Sequence, residues 1–215
     1  MKINKRALLA LKDKHRGKRC FVVGNGPSLN QLDLSKLKDE VTIICNLVFR
    51  QELPFKPSYY CQEDKRMLTK FHKEITAYRV PGMQKFFPVA MSKYVAGKDV
   101  RLVNFVYGNP NWKFSTKWPR EVNWGSSVSY MMLQLAWYLG CSKVYLIGMD
   151  CSKGHFVSEQ EYYKGFNANP SKWDMVMQGY RTASMVFRDT NRQLINATPG
   201  GNLNVLPRAE YERLF

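Results

Sequence analysis

The stretch Arg19–Val23, followed by Gly24-Asn25-Gly26-Pro27-Ser28, constrains this chain more than any other. Arg-Cys-Phe-Val-Val is a short apolar run of strand length and reads as a buried strand. It runs directly into the glycine turn. Glycines at 24 and 26 can take backbone angles closed to other residues and let a ligand approach the main chain. Ser28 is suited to capping a helix that begins near Leu29. Strand, glycine turn and helix start together make a device in which backbone N–H groups and the positive end of a helix face a phosphate. A tight turn ending an edge strand is the competing reading. The pattern is not the Gly-x-Gly-x-x-Gly fingerprint of a dinucleotide site.

The rest of the chain has the rhythm of an α/β fold. Val41–Asn46 reads as a second buried strand and Phe55–Asp64 as a loop and third strand, with residues 65–76 helical. Val128–Leu139 is apolar on almost every face, which predicts a buried helix, ended by Gly140. Ser142–Asp150 is the clearest strand. Trp173–Asn191 reads as a long helix and Gln193–Thr198 as a further strand. This alternation predicts a Rossmann-like, mostly parallel sheet with helices on both faces. Residues 19–215 are expected to form one nucleotide-binding catalytic domain behind a basic amphipathic arm, 1–18. Between 77 and 124 the pattern weakens. Lys85–Met91, Val100–Tyr107 and Tyr78–Val80 are strand candidates among close-set aromatics (Trp112, Phe114, Trp118, Trp124), predicting an irregular cap or acceptor region.

Charge and cysteine usage narrow the partners. Lysine and arginine number 33 against 17 acids, a net charge of +16, which favours anionic partners such as nucleotides, anionic lipid or acidic glycans. Residues 2–19 hold eight of these basic side chains against Asp13. Ile3, Ala7, Leu8 and Leu11 sit at helical spacing there, so the arm either docks on the domain or rests on anionic membrane. Cys20, Cys45, Cys61, Cys141 and Cys151 are widely spaced with no Cys-x-x-Cys pair, which argues against zinc and suits reduced thiols. No apolar run approaches a membrane span. A cytoplasmic protein, or one at the inner face of the membrane, is expected. No RNA-binding module is recognisable, which argues against nucleic acid.

Polar residues recur where strands end. Gly24–Ser28, Asn46, Gln62-Glu63-Asp64 and Asp150 all follow predicted strands, and in open parallel sheets ligands bind beyond the carboxyl ends. Gly125-Ser126-Ser127 opens the buried helix at the same rim. Asn46 and Gln62 suit sugar hydroxyls or a base edge. Asp150 suits a hydroxyl, an ion or base catalysis, or else caps its own turn. His155 is the one histidine near this rim, with a pKa suited to a general base; Glu63 and Asp64 are the carboxylate alternatives. There is no Gly-x-Ser-x-Gly elbow, Walker loop or His-Glu-x-x-His motif.

Val22–Leu29 resembles the opening strand and nucleotide loop of the family 42 sialyltransferases. It also resembles the related domain shared by motility-associated flagellin glycosyltransferases and 6-hydroxymethylpterin pyrophosphokinases. Phe55–Asp64, Leu135–Asp150 and Ile195–Arg208 are similar to segments of an uncharacterised bacterial branch of that group. The resemblance implies a GT-A-variant fold acting on a nucleotide-linked donor, a CMP-linked nine-carbon acid sugar in the sialyltransferases, without a metal. It implies nucleotide contacts from Asn25, Gly26, Ser28, Asn46 and Ser126 or Ser127, and donor binding by Asp150. Two departures stand out. His155 follows Asp150 by only five residues, and the tyrosines flanking the leaving phosphate match at most Tyr162 or Tyr163. The expected reaction is glycosyl transfer from a nucleotide-sugar to a bacterial surface glycan, glycolipid or glycoprotein. The alternative is a Mg²⁺-dependent pyrophosphokinase with Asp150, Glu63 and Asp64 as ligands; a non-catalytic nucleic-acid binder comes third.

Overall fold

Apolar residues on both sides of each strand require a sheet covered on both faces. The computed structural model describes residues 2–108, 113–152 and 171–215. Its strands are β1 (Arg19–Val23), β2 (Val41–Cys45), β3 (Tyr59–Cys61), β4 (Gln84–Pro88), β5 (Val100–Val103), β6 (Phe105–Val106), β7 (Val122–Asn123), β8 (Lys143–Ile147) and β9 (Gln193–Asn196). Seven of them form one sheet in the order β5-β4-β3-β2-β1-β8-β9, and β6 pairs with β7 separately. Every pairing is parallel. The helices are α1 (Lys5–Leu9), α2 (Lys65–Ala77), α3 (Val128–Tyr138) and α4 (Ser171–Asp189). This is the expected Rossmann-like α/β architecture.

Strand periodicity divides the core in two. Cys20, Val22, Ile43, Val144 and Leu146 face α3 and α4, meeting Met131, Leu135, Ala183 and Phe187. Phe21, Val23, Ile44, Tyr145 and Ile147 face the other way, against Leu68 and Ile75 of α2, Leu29, and Tyr211 near the carboxyl terminus. Full burial of a side chain of this size contributes about 1.5–3 kcal/mol. β1 lies between β2 and β8, so it is a central strand and not an edge. The chain proceeds from β1 outward to β5 on one side and returns to β8 on the other. The reversal of strand order falls between β1 and β8, which marks the crevice beyond their carboxyl ends as the default ligand position.

The middle of the chain is more regular than a cap. The strand candidates Lys85–Met91 and Val100–Tyr107 overlap Gln84–Pro88 and Val100–Val103, which are β4 and β5 of the main sheet, so the irregular region is narrower than 77–124. Tyr78 is the C-cap of α2 and Tyr78–Val80 forms no strand. Within β4, Lys85 is an unusual core residue. It is 1 % exposed, its ammonium donates to the Ile75 and Thr76 carbonyls at 3.0 and 3.2 Å, and Asp99 lies 3.3 Å away. Burial lowers its pKa against the opposing pull of Asp99. A lysine that satisfies the last carbonyls of a helix is a core residue despite its charge.

The basic arm is docked. Leu8 and Leu11 are buried in the α3 face of the core. The amides of Asp13, His15 and Gly17 donate to the carbonyls of Tyr138, Leu139 and Gly140, which satisfies the carboxyl end of α3. Among the described residues, no helix is long and apolar enough to cross a membrane.

His15 in this arm lies 2.8 Å from the Tyr59 hydroxyl. Burial, with Lys14 and Lys18 adding to it, lowers its pKa from 6.5 to about 4. The fold therefore disfavours the protonated ring, and the unfolded chain binds the extra proton. Stability should be intact above pH 6.5 and fall as pH drops toward 4. The expected loss is about 1 kcal/mol, allowing for solvent screening of a half-exposed ring. Urea titrations across this window should show the slope, and His15→Gln should reduce it.

Candidate active site at the carboxyl rim

The glycine loop is held by the end of β8. The amides of Gly24 and Gly26 donate to the Ile147 and Gly148 carbonyls, each at 2.8 Å. The Ser28 hydroxyl donates to Asp150 Oδ2 at 2.7 Å and its amide to Oδ1 at 3.2 Å. Asp150 is 8 % exposed. The glycines serve this approach and not an unusual backbone angle, since Gly26 has φ −77°. A Cβ on Gly26 would lie 1.7 Å from Asp150 Oδ2, and one on Gly24 would lie 2.3 Å from the Gly148 carbonyl oxygen.

Two expectations about the loop are thereby corrected. Ser28 caps no helix. A 3-10 helix, Pro27–Gln31, has Gly26 at its N-cap and Pro27 at its first position, without a side-chain cap bond. The loop's amides at 24, 26 and 28 face protein oxygens and not an open phosphate cradle. Asp150 is engaged through both carboxylate oxygens, so it positions the loop.

What the loop does present is Asn25. The residue is 7 % exposed, and among the described residues neither its amide nitrogen nor its amide oxygen has a hydrogen-bond partner. Ser126, at the start of the α3 region, is 3 % exposed and its hydroxyl likewise has no partner among the described residues. Ser127 is the N-cap of α3: its Oγ accepts from the Ser129 amide at 3.4 Å and from the Ser129 hydroxyl at 2.9 Å. The Tyr180 hydroxyl donates to Ser129 Oγ at 2.8 Å and lies 3.3 Å from Met149 Sδ. The Met149 sulfur would in turn sit 2.8 Å from a Cβ on Gly24. This chain of contacts ties the start of α3 to the ends of β1 and β8. Gly125 is occupied differently: a Cβ there would lie 2.2 Å from the Tyr130 ring.

At the next strand ends an amide network takes over. Gln62 is fully buried; its Oε1 accepts from the Glu63 and Asp64 amides at 2.8 and 2.9 Å. Its Nε2 donates to Asn46 Oδ1 at 2.9 Å. Gln62 is thus engaged at both ends of its amide by protein groups, and it orients Asn46 so that Nδ2 is the group left to donate. Asp64 is the N-cap of α2, accepting from the Arg66 amide at 2.8 Å. Glu63 is 8 % exposed, and its carbonyl accepts from Tyr107 at 3.4 Å. His155, Tyr162 and Tyr163 lie outside the described residues.

Backbone strain marks the same rim. Asn46, Ser126 and Cys151 have φ of +54°, +63° and +49°, a region costly for residues with a side chain and common at functional sites. Burial, with Asp150 nearby, pushes the Cys151 thiol up to about 12, which makes it a poor nucleophile. Among the described residues no group of three or more His, Cys, Asp or Glu is arranged to hold a metal.

A family model described as 6-hydroxymethylpterin diphosphokinase MptE-like matches residues 1–155. The chain belongs to the MptE-like family. No curated protein matches its sequence. Among solved structures, the MAf glycosyltransferase from Magnetospirillum magneticum AMB-1 aligns over 95% of this chain at 14% identity and a TM-score of 0.59. The MptE-like chain spans 35% of that protein's length, and the likeness is one of fold. A weaker likeness, TM-score 0.48 at 16% identity, covers 89% of this chain and 85% of the sialyltransferase CstII from Campylobacter jejuni, solved with a substrate analogue, cytidine-5'-monophosphate.

Sequence reasoning missed Tyr180, Met149 and the bracing of Asp150. Tyr180 falls inside the long helix expected at Trp173–Asn191, and nothing local signals its hydroxyl bond. Asp64 was legible as an N-cap, since an aspartate directly precedes a helical pattern. Gly26→Ala is expected to destabilise the fold by about 2–4 kcal/mol through overpacking against Asp150. In an Asp150→Ala background the same change should cost less, with a coupling of about 0.5–3 kcal/mol in urea denaturation. Additive effects would contradict the contact.

Proposed function

We propose that this chain binds a nucleotide at the carboxyl rim of its sheet and transfers the group that the nucleotide activates. The observation that carries this reading is the pair of buried, unpartnered polar side chains, Asn25 and Ser126. Leaving a buried donor or acceptor unpaired costs about 1–3 kcal/mol, a cost that a bound ligand's hydroxyls and phosphate oxygens would offset. Both residues belong to the rim where the strand order reverses, beside the amino end of α3, whose dipole favours an anion. A net charge of +16 and a fold shared with a glycosyltransferase agree with an anionic, nucleotide-linked donor.

In the first reading the donor is a nucleotide-activated sugar, with a CMP-linked nonulosonic acid favoured, and the acceptor is a bacterial surface glycan, glycolipid or glycoprotein. Asn25 and Asn46 Nδ2 bond the nucleoside, and Ser126 with the start of α3 holds the phosphate. A base, His155 or Glu63, takes the proton from an acceptor hydroxyl as its oxygen bonds to the sugar carbon and the sugar–phosphate bond breaks. Charge on the departing phosphate is stabilised by the amino end of α3. Asp150 and Ser28 position the loop that carries Asn25.

The family description favours a second reading, a diphosphokinase, a chemistry that would draw on Mg²⁺. The expected ligand set does not fit one ion. Asp150 follows β8 and Glu63-Asp64 follow β3, three strand steps apart in the sheet, or roughly 14 Å. Asp150 and Asp64 are besides engaged by Ser28 and by the start of α2.

A thermal-shift screen with CMP, CDP, UDP, GDP and ATP, with and without Mg²⁺ or EDTA, separates the readings. Stabilisation by a pyrimidine nucleotide that survives EDTA is expected; stabilisation by ATP–Mg²⁺ alone would support the diphosphokinase. Asn25→Leu removes an unpaired buried amide, so the unliganded protein should be as stable as the parent or more so. The nucleotide shift should disappear. Retention of the full shift would overturn the role of Asn25.

A further inference from the structure

A groove of about 940 Å³ lies between the arm, the loop at 116–120 and the carboxyl end of α3. It is remote from the nucleotide rim. α3 runs from Ser127 at that rim to Trp137 and Tyr138 in the groove, and its 11 residues span roughly 16 Å. The groove's lining carries Lys5, Lys12 and Arg16 from the arm, Lys117 and Arg120 from the opposite wall, and Arg192. The one acid in the lining, Asp13, is already paired with Arg16 at 2.6 Å.

Arg192 shows how this charge is held. Its guanidinium stacks over the Trp137 ring at 4.7 Å and donates to the Trp137 carbonyl. Burial lowers its pKa, Asp13 opposes that effect, and Arg16 adds to it. Lys5, Lys12, Lys117 and Arg120 are exposed and form no ion pair with an acid among the described residues. Six cations against a single acid leave the concavity strongly positive, and a bound polyanion is the natural counter-charge.

We propose that this groove is a second binding site, for a ligand carrying two or more phosphate groups along its length. Phosphate suits the lining, because each group presents several acceptor oxygens and carries more charge than a carboxylate. Arginine forks and lysine ammoniums bond it with charge assistance. The concave shape, with cations on opposed walls, fits an inserted chain of phosphates better than a flat bilayer, which would touch only the rims. The ring of Trp137 and the exposed Leu9 and half-buried Ile3 leave room for an apolar or ring-bearing portion beside the phosphates.

Calorimetric titration of the whole chain with inorganic tripolyphosphate tests this. Wild type should bind saturably, more weakly as salt rises. The double variant Lys117→Glu/Arg120→Glu should bind at least about tenfold more weakly. Lys38→Glu/Lys56→Glu changes the net charge equally at exposed positions outside the groove and should bind nearly as wild type. Ser126→Ala, at the residue assigned to the phosphate of the nucleotide rim, should leave the titration unchanged; if it abolishes binding, the probe reads the nucleotide rim and the proposal falls. Equal losses in the two charge-reversal pairs, or no saturable binding, also overturn it, as does RNA binding that is tighter and lost equally in both pairs. Pelleting with phosphatidic-acid vesicles that depends on Lys117 and Arg120, without saturable tripolyphosphate binding, would assign a flat anionic surface and overturn the proposal. Tripolyphosphate binding without pelleting assigns a soluble phosphate ligand.

Discussion

The hydrogen-bonded pairing of Ser28 with Asp150 is the interaction on which the rest of the rim depends. It joins the loop after β1 to the loop after β8, the two strands between which the sheet reverses its order. A buried carboxylate that accepts two such bonds contributes about 1.5–3 kcal/mol per bond, and it fixes where the loop lies. Asn202 donates to the Asp150 carbonyl at 2.7 Å and braces the same turn from the chain's end. Gly24 and Gly26 are small because that junction leaves no room for a Cβ.

The rim divides into a part whose polar groups satisfy one another and a part whose polar groups do not. Ser28, Asp150, Gln62 and Asp64 bond to other protein groups and set backbone positions. Asn25 and Ser126 have buried polar atoms without partners, and Asn46 is oriented by Gln62 with its amide nitrogen as the donor. The division follows from burial energetics. Groups that satisfy one another stabilise the empty protein, and groups left unsatisfied store a preference for whatever completes them. The strained φ angles of Asn46 and Ser126 belong to the second part.

Much of this was legible in the sequence. Apolar runs marked β1, β2 and β8, their ends named Asn25, Asn46 and Asp150 as rim residues, and the start of the buried helix named Ser126. What those residues do was less legible. Gly24 and Gly26 look alike in sequence whether they admit a phosphate or a carboxylate 122 positions away, as the Ser28–Asp150 separation shows. Gln62 reads as a ligand-binding amide until its three protein bonds are seen. The burial of Lys85 in β4 was hidden, because its charge is matched by carbonyls from α2 and by Asp99. In each case the deciding partner is distant in sequence and near in space.

Family membership and fold leave the transferred group open between a sugar and a diphosphate, but both readings require a nucleotide at Asn25. The side-chain amide of Asn25, followed by ¹H–¹⁵N NMR during titration with CMP and with ATP–Mg²⁺, tests that requirement most directly. Its resonances should move progressively and saturate with whichever nucleotide stabilises the protein, and those of Gln62 should change far less. A nucleotide that binds and saturates while the Asn25 amide stays unmoved would contradict the account.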